Sequence, residues 1–343
     1  MISAVPRPVA NPPNPFEEAS LEWDGPPPPA KLEVFEEDAK SALSRNDSPD
    51  VGFTWSVNPY RGCFHACAYC YARPSHQYWG FGAGTDFDRK IVVKRNVAER
   101  LREAFERPSW KGETIAFSGN TDCYQPLEAS YGLTRACLEV CRAFRQPVSL
   151  ITKSKLIRRD ADLLGALARE ARCHVTVSIP FADDAMARKM EPFASPPTKR
   201  FETVRVLAEA GVPVGISVGP IIPGLNDDQI PTILERAVDA GARSAFAILL
   251  RLPKQVLPVF DARLEAAFPM RAEKVRSAIR MVRGGKANES RFGDRMRGRG
   301  ARWDAIEQLF ELHLRKHGLA RTGVQHFEGP TTFERPTPQL SLF

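Results

Sequence analysis

The chain has 343 residues, 43% of them apolar, and can therefore bury one large α/β core or two ordinary domains. Seven cysteines are too few for a disulfide scaffold at this length, and the lack of any run of eighteen apolar residues argues against a membrane-spanning helix. We therefore expect a cytoplasmic protein. The net charge of +7 is uneven, because residues 271–302 hold eleven Arg and Lys against three acidic residues.

The first fifty residues predict a proline-rich, acidic N-terminal arm. They contain ten prolines and carry ten acidic against four basic residues. With few large apolar side chains, such a segment has too little surface to form a core, and we expect it to be extended or disordered. A weak helical pattern over residues 32–43 predicts one helix within this arm.

From residue 53 onward, apolar runs of strand length alternate with amphipathic stretches, which predicts a βα repeat. The predicted strands are 53–57, 114–118, 147–152, 174–179, 212–218 and 244–250. The predicted helices are 97–105, 133–144, 160–171, 199–210, 228–240 and 259–267. Six such units predict a parallel sheet curved around a core, with the functional groups in the loops at the carboxyl ends of the strands.

Composition also predicts the domain boundaries after the arm. The α/β core is expected over residues 51–255, and a helical, basic C-terminal extension over residues 256–320. Residues 321–343 are expected to form a tail.

Three cysteines fall within eight residues, directly after the first predicted strand of the core. Cys63, Cys67 and Cys70 have the spacing CxxxCxxC, whereas zinc knuckles and ferredoxin loops usually supply four local ligands. Three thiolates on one loop can hold three irons of a [4Fe-4S] cluster and leave the fourth iron open. The alternative is a structural zinc site, in which His65 or His76 supplies the fourth ligand.

The loop and its surroundings resemble the radical S-adenosylmethionine (SAM) enzymes, over about residues 53–253. The flanking Asn-Pro-Tyr-Arg-Gly-Cys and Cys-Tyr-Ala-Arg-Pro segments are similar to a bacterial group related to spore photoproduct lyase. The resemblance implies a partial (β/α)6 radical SAM barrel, with a [4Fe-4S] cluster on Cys63, Cys67 and Cys70 and S-adenosylmethionine on the open iron. It also implies an enzyme in which cleaved S-adenosylmethionine yields a 5′-deoxyadenosyl radical that abstracts hydrogen, with flavodoxin or ferredoxin as electron donor.

The same resemblance predicts which residues contact S-adenosylmethionine. An aromatic ring packs beside the cluster while the backbone of that residue meets the adenine, and the loop after the second strand meets the methionine amino group. Polar groups at later strand ends meet the ribose and carboxylate, and the turn after the fifth strand flanks the adenine. The family's Gly-Gly-Glu is absent from the second of these loops. The predicted contacts are Tyr69, Gly119, Asn120, Thr121, Asp122, Lys153, Ser178, Arg200, Pro223 and Gly224.

Cys123 is the candidate catalytic residue, because a strand-end loop is expected to direct its thiol towards the radical. Photoproduct lyases return a hydrogen atom from a cysteine in this region, but the register places that position on Gly119. The remaining cysteines, Cys137, Cys141 and Cys173, are predicted to be buried packing residues.

Residues 271–302 are expected either to follow a phosphate backbone or to form a solvated helix surface, with Phe292 and Trp303 as stacking or anchoring rings. The sequence therefore favours a radical SAM enzyme acting on DNA or another anionic polymer, with photoproduct-lyase-like repair as one reaction. Two alternatives remain open: radical modification of a peptide, protein or RNA, and a zinc-stabilised nucleic-acid-binding protein without catalysis.

Overall fold

The computed structural model describes residues 31–322, 327 and 329–336. The strands are β1 (Glu33–Glu37), β2 (Leu43–Arg45), β3 (Trp55–Val57), β4 (Tyr60–Arg61), β5 (Lys90–Lys94), β6 (Ile115–Phe117), β7 (Val148–Thr152), β8 (Cys173–Ser178), β9 (Val214–Ile221), β10 (Ser244–Leu249) and β11 (Ala320–Arg321). The helices are α1 (Thr85–Arg89), α2 (Val97–Glu106), α3 (Glu128–Tyr131), α4 (Leu133–Ala143), α5 (Ala161–Glu170), α6 (Asp184–Met190), α7 (Pro197–Glu209), α8 (Ile230–Asp239), α9 (Leu257–Ala267), α10 (Ala272–Val282) and α11 (Ala301–His317).

Eight strands form one sheet in the order β11-β10-β9-β8-β7-β6-β3-β2. Every neighbouring pair is parallel except β2 and β3. The central strands are buried on both faces, as expected where helices cover a parallel sheet, although polar and apolar residues alternate along β8. The prediction of a mostly parallel α/β fold is confirmed.

The helices between these strands cover the sheet with one apolar face. In α5, for example, Leu163, Leu164 and Leu167 are buried in the main core. Helices α7 and α8 end where the sequence indicates. Gly211 and Gly241, which follow them, take the left-handed conformation with φ of 78° and 98°. The chain then turns directly into the next strand, so consecutive βα units stack side by side.

The predicted helix over residues 32–43 is wrong. These residues contain strands β1 and β2, which belong to different sheets. Strand β1 pairs in parallel with β5, so that Val34 lies opposite Ile91 and Phe35 opposite Val92. This pairing satisfies the backbone over long range and outweighs the weak local helix preference. The small sheet β1-β5-β4 was not predicted from the sequence. Residues 1–30 of the predicted arm lie outside the described part of the chain.

The two ends of the large sheet are joined by side chains. Asp50, between β2 and β3, pairs with Arg295, which lies between α10 and α11 and also donates to the Ser48 hydroxyl at 2.6 Å. The Gly293 N–H donates to Asp50 at 2.6 Å. The same loop contacts the other end of the sheet, where the Leu249 N–H donates to the Met296 carbonyl at 3.3 Å. We call the contact of Asp50 and Ser48 with Arg295 the latch.

Helices α9, α10 and α11 follow the last long strand and belong to the folded body. Helix α11 buries Trp303, Ile306 and Phe310 in the main core. Part of the predicted tail is also docked, because the Phe333 ring packs against the same core. We call residues 331–336 the clasp. In the part of the chain that the structure describes, no helix is both long and apolar enough to cross a membrane.

Candidate active site

The loop that carries the three cysteines is held in a tight turn by its own backbone and by one glutamine. Gly62 and Ala66 adopt positive φ angles of 75° and 55°, which reverse the chain on either side of Cys63. The wholly buried Gln125 donates to the Gly62 carbonyl at 3.1 Å and accepts from the Phe64 N–H at 2.9 Å. The loop after β6 therefore fixes the first half of the cysteine loop.

Arg73 fixes the second half of the cysteine loop. Its guanidinium donates to the Cys67 carbonyl at 3.0 and 3.2 Å and to the carbonyls of Ala83 and Gly84 at 3.0 and 2.8 Å. It also pairs with Asp88 at 2.9 Å and is only 1% exposed. Sequence reasoning assigned no role to Arg73 or Gln125, since both act through backbone atoms of distant segments.

The three thiols are free and lie in surroundings that suit metal ligation. Cys63 and Cys67 are buried, Cys70 is partly buried, and none of the three is in a disulfide. Burial raises the pKa of all three thiols, so each thiolate needs a positive counter-charge such as a bound metal supplies. The backbone N–H groups of His65 and Asp122 point at the Cys63 thiol and lower its pKa in part. This donor set fits an iron–sulfur cluster.

Both histidines of the zinc alternative have other contacts. His65 Nδ1 lies 3.4 Å from the Asp122 carboxylate, and the His76 ring packs beside Phe81 and Phe87 at centroid distances of 5.0 and 5.6 Å. Within the described residues, no three His, Cys, Asp or Glu side chains are grouped to hold a single metal ion.

Tyr69 connects the cysteine loop to a buried ion pair. Its hydroxyl bonds to Glu191, which pairs with Arg200, and both charged residues are 1% exposed. Burial, followed by the Glu191 charge, raises the pKa of Tyr69 well above its usual value. Arg200 also donates to the carbonyls of Ser178 at 2.9 Å and Ser195 at 2.6 Å. The predicted carboxylate clamp therefore already has a protein acceptor for each of its three nitrogens.

The carboxyl ends of β6, β7 and β8 bring three predicted residues together. The Asp122 carboxylate accepts from the Thr152 hydroxyl and from the Lys153 N–H, both at 2.8 Å. The Lys153 ammonium donates to the Ser178 hydroxyl at 3.1 Å and lies 5.8 Å from the centre of the Tyr69 ring. A cation, a carboxylate, a hydroxyl and an aromatic ring thus meet beside the cysteine loop.

The radical SAM superfamily model matches residues 57–237, which include the three cysteines and the strand ends described above. The chain belongs to the radical SAM superfamily. It is therefore an enzyme, and the family implies a [4Fe-4S] cluster and S-adenosylmethionine. Cys63, Cys67 and Cys70 are the side chains that would hold the cluster.

Other radical SAM proteins and some uncharacterised proteins resemble the chain. It is 36% identical over 244 residues to an uncharacterized protein of Mycobacterium tuberculosis, covering 70% of this chain and 72% of the relative. It is 25% identical over 218 residues to the radical SAM Nα-GlyT isomerase of Pseudomonas phage M6, covering 62% of this chain and 42% of the relative. A spore photoproduct lyase structure with bound AdoMet and dinucleoside spore photoproduct has a TM-score of 0.60 at 14% identity, covering 84% and 81% of the two chains.

Of the predicted radical SAM contacts in the loop after β6, Gly119 and Asn120 lie near Tyr71 and Ser75. The Gly119 carbonyl accepts from the Tyr71 hydroxyl at 3.1 Å, and a Cβ on Gly119 would lie 3.1 Å from the Ser56 Cβ. The Asn120 amide donates to the Ser75 hydroxyl at 2.9 Å. Both residues thus link this loop to the segment that follows the cysteines.

Thr121 and Cys123 point into the protein. The Thr121 hydroxyl donates to the Tyr60 carbonyl at 2.7 Å and is buried. Cys123 is 0% exposed, its N–H donates to the Ser118 hydroxyl at 2.8 Å, and its carbonyl accepts from Thr134 of α4 at 2.6 Å. Cys123 is thus buried in the main core and not exposed at the strand ends, and its catalytic role stays a prediction.

The turn after β9 contains Pro223 and Gly224. Pro223 is buried, and Gly224 has a φ of 82° and faces Ala278 of α10, 3.4 Å from where a Cβ would lie. Asn226 organises this turn, since its side chain accepts from the Ile222 N–H at 2.6 Å and donates to the Pro180 carbonyl at 2.7 Å. Sequence reasoning missed Asn226, although an asparagine that bonds backbone within a turn is common.

Many basic side chains of residues 271–302 contact the protein itself. Arg276 pairs with Asp261 and Glu265, and Arg302 pairs with Asp227 at 2.9 Å. Trp303 is 4% exposed and anchors the segment in the core. The exposed cations of this segment that form no ion pair with another described residue are Arg271, Lys274, Lys286 and Arg297.

Proposed function

We propose that the chain is a radical SAM enzyme that abstracts hydrogen from nucleic acid, with DNA as the substrate and photoproduct-lyase-like repair as one reaction of this type. The observation that supports the proposal is an aromatic and cationic surface beside the cysteine loop. We call it the mouth surface and define it as Tyr71, Arg251, Phe292 and Arg295.

Each half of the mouth surface pairs an exposed ring with a guanidinium. Tyr71 directly follows Cys70, is 48% exposed, and has the Arg251 guanidinium 5.5 Å from its ring centre. Phe292 is 59% exposed, with the Arg295 guanidinium 4.3 Å from its ring centre. Exposed rings next to cations are the means by which proteins stack unpaired bases and attract phosphates.

The two halves are neighbours. The Arg251 guanidinium contacts the sulfur of Met296, the residue after Arg295, at 4.0 Å. Burial, and after it the charge of Arg295, lowers the pKa of Arg251. Arg251 follows β10, at the same end of the sheet as Asp122 and Lys153. A base stacked on Tyr71 would therefore lie next to the cysteine loop.

The name of one structural relative agrees with a nucleic-acid substrate. That relative is a spore photoproduct lyase complexed with dinucleoside spore photoproduct. The likeness to the lyase is one of fold, and this chain has Gly119 where the lyases are expected to carry their hydrogen-donating cysteine. Our proposal is therefore limited to hydrogen abstraction from a nucleotide.

The residues of the site have separate tasks in this proposal. When bound, the cluster and S-adenosylmethionine supply the 5′-deoxyadenosyl radical, with an electron from a donor such as flavodoxin or ferredoxin. Lys153 and Ser178 offer an ammonium and a hydroxyl to the bound cofactor, and Tyr69 offers its ring. The mouth surface holds the nucleotide, and the apolar residues around Tyr69 limit the access of water.

Binding across a salt series tests the nucleic-acid part of the proposal. Most cations of residues 271–302 contact the protein, so we expect about four phosphate contacts and a slope of log affinity against log salt near −3 for a single strand. Tyr71→Ala and Phe292→Ala should each weaken binding about tenfold, because each removes one stacked base. Leu312→Ala, an exposed apolar residue on α11, is the matched control and should not change affinity. Affinity that does not change with salt would contradict the proposal.

Isotope transfer tests the chemistry. With anaerobically reconstituted protein and dithionite, S-adenosylmethionine cleavage in the presence of deuterated DNA should place deuterium in 5′-deoxyadenosine. Deuterium transfer from peptides or RNA but not from DNA would instead support the alternative substrates. A protein that holds zinc and no iron or sulfide after reconstitution would contradict cluster ligation by these cysteines.

A further inference from the structure

Helix α11 carries two histidines on one face, outside the candidate active site. His313 and His317 are four residues apart, and side chains at this spacing lie one above the other along a helix. Their ring centres are 5.8 Å apart, with an angle of 30° between the ring planes. Both side chains are only partly buried, so a small solute can reach the pair from solvent.

Each of the two rings has a nitrogen without a protein partner. The Nδ1 atom of His313 and the Nε2 atom of His317 are shielded from solvent, and neither forms a hydrogen bond with any residue in the described part of the chain. Shielded polar atoms are seldom left unpaired, because they have lost their hydrogen bonds to water. Two such nitrogens one turn apart on the same helix face indicate one ligand that both rings can bind.

The distance between the rings fits ligation of a single metal ion. Zinc–nitrogen bonds are about 2.1 Å long, which places each ring centre about 3.2 Å from the ion and allows the centres of two ligating rings to be up to about 6.4 Å apart. The separation of 5.8 Å lies within this limit. A metal ion can therefore lie between the rings without a change in the helix.

The spacing of the pair is also that of a known type of zinc site. In metalloproteases, two histidines four residues apart on a helix bind zinc, and the residue after the first histidine is a glutamate that acts as general base. In this chain the corresponding residue is Leu314, which is buried in the main core. The pair is therefore suited to binding a metal ion and has no general base from that position.

The end of α11 provides the charges around the pair. The helix ends at His317, and the carbonyl groups of its last turn carry partial negative charge that attracts a cation. Arg315 and Lys316 lie in the same turn and repel a cation, but both side chains are exposed, where water and salt screen their charges. The surroundings thus permit a cation at the pair.

We propose that His313 and His317 bind one divalent transition-metal ion of the class of Zn²⁺, Ni²⁺ and Cu²⁺. Imidazole nitrogens suit these ions, whereas Mg²⁺ and Ca²⁺ prefer oxygen ligands. Within the described residues, no third His, Cys, Asp or Glu side chain is grouped with the pair, so water completes the coordination. Binding is therefore weaker than at a structural zinc site with four protein ligands, with a dissociation constant in the micromolar range.

The ion stabilises the attachment of the last strand. It joins the two ends of the final turn of α11, and β11 follows this turn after Gly318 and Leu319 and pairs with β10 at the edge of the large sheet. A ligand that binds the folded chain more tightly than the unfolded chain raises its stability. This site goes beyond the proposed function and does not depend on it.

Titration calorimetry with Ni²⁺ tests the proposal on untagged protein whose cluster has been reconstituted. Loading the cluster first occupies the thiols of the cysteine loop, and iron content before and after the titration shows that the cluster is intact. The parent should bind about one Ni²⁺ ion with a micromolar dissociation constant. His313→Ala and His317→Ala should each bind Ni²⁺ at least about thirtyfold more weakly, because the remaining imidazole has lost the second ligand held beside it.

Lys316→Ala is the matched control, because Lys316 is exposed in the same turn and is not a ligand. This variant should bind Ni²⁺ at least as tightly as the parent, since it removes a repelling charge. Urea unfolding gives a second readout. Ni²⁺ should raise the unfolding midpoint of the parent and of Lys316→Ala, and should leave the midpoint of each histidine variant unchanged.

Three outcomes would overturn the proposal. The first is a parent protein that binds no Ni²⁺ below about a millimolar, well above the expected dissociation constant. The second is equal binding by the parent and both histidine variants, and the third is binding that is lost in only one of these variants, which would exclude shared ligation. None of these outcomes bears on the proposed function, because the measurements use no S-adenosylmethionine, reductant or nucleic acid.

Discussion

At the scale of single residues, the cysteine loop is shaped by side chains that are not metal ligands. Gln125 holds its first half and Arg73 its second, while Tyr69 connects it to Glu191 and Arg200. The three thiols therefore stand in a turn that the surrounding body fixes before any cluster binds. Removal of one thiol should affect the cluster far more than the fold.

Cys63→Ala should abolish cluster retention and change the free energy of unfolding of the apo-protein by less than about 1 kcal/mol. The remaining two thiolates cannot hold three irons, whereas the missing sulfur takes little surface out of the core. Iron and sulfide analysis after reconstitution is the measurement. Cys137→Ala is the control, because Cys137 is wholly buried in the main core, and this variant should keep its iron. Full iron content in Cys63→Ala would refute the ligand assignment.

Arg200→Met should lower the free energy of unfolding by about 3–5 kcal/mol, because it leaves the buried Glu191 carboxylate without its cation. The double variant Arg200→Met, Glu191→Leu should lose less than the single variant, since it removes the unpaired charge as well. Urea unfolding of both proteins gives the comparison. A double variant that is less stable than Arg200→Met would show that the ion pair is not the source of the effect.

The sequence predicts the site residues that local spacing defines. The cysteine trio and Tyr69 follow from a short motif, and Asp122, Lys153 and Ser178 follow from their places at the ends of predicted strands. Gln125, Arg73 and Glu191 act through residues that the fold brings together, as when Tyr69 meets Glu191 122 positions away. The burial of Cys123 was not predicted, because a position in a strand-end loop does not determine whether the side chain is exposed or packed in the core.

At the scale of secondary structure elements, strand β8 carries a buried histidine into the core. His174 is 3% exposed, and its Nδ1 has no hydrogen-bond partner within the described part of the chain. Burial lowers the pKa of this imidazole from 6.5 to about 4. The His174 imidazole is therefore neutral in the folded protein at neutral pH.

Acid should destabilise the protein partly through this ring. Between the two pKa values the unfolded chain binds more protons than the folded one, so stability falls as the pH falls from 6.5 towards 4 and changes no further below that range. Between about pH 7 and about pH 5, the parent should lose about 2 kcal/mol more of its free energy of unfolding than His174→Leu does. Urea unfolding at both pH values measures the difference. An unchanged difference in the variant would contradict a neutral buried His174.

Phe333→Ala should lower the free energy of unfolding by about 1–3 kcal/mol, because the clasp ring fills a seat between Phe105 and Phe144. Phe292→Ala is the matched control, since its ring is 59% exposed and its loss should change stability by less than about 0.5 kcal/mol. Urea unfolding of both variants gives the comparison, provided that their m-values are equal. Equal stability of the two variants would mean that the clasp is not docked in solution.

The sequence predicts well the elements with strong hydrophobic periodicity. The elements that it misses are formed by contacts with distant segments of the chain. The predicted strand over 147–152 and helix over 97–105 lie within one residue of β7 and α2. Strand β1 was mistaken for a helix because its sequence, Glu-Val-Phe-Glu-Glu, lacks the polar and apolar alternation of a strand, and only pairing with β5 makes it one. The sequence assigned the clasp to a tail because side chains such as Phe333 and Arg335 hold it, and these form no periodic pattern.

At the scale of the whole molecule, the sheet is a crescent whose two ends are joined by the latch. No backbone ladder connects β2 to β11, which lie at opposite edges of the eight-stranded sheet. The charges of Asp50 and Arg295, 5% and 16% exposed, and the Ser48 hydroxyl span the gap instead. A few side-chain contacts stabilise this side less than a ladder of backbone hydrogen bonds would, so we expect it to open more easily than the paired strands.

Asp50→Asn should increase amide hydrogen exchange in residues 291–299 about tenfold or more, because it removes the negative charge that pairs with Arg295 of this loop. Exchange in β7, at the centre of the sheet, should be unchanged and serves as the internal control. Mass spectrometry of peptic fragments resolves the two regions. Equal protection of residues 291–299 in the parent and the variant would show that the latch does not hold the loop.

The mouth surface also bears on the topology of the substrate that can bind. Tyr71 and Phe292 are exposed beside the ends of the strands, so a nucleic-acid strand can lie across them without passing between the strands. Under the proposed function, covalently closed circular single-stranded DNA should therefore be bound and processed as readily as a linear strand of the same sequence. The reach of the enzyme along a genome would then not depend on strand ends.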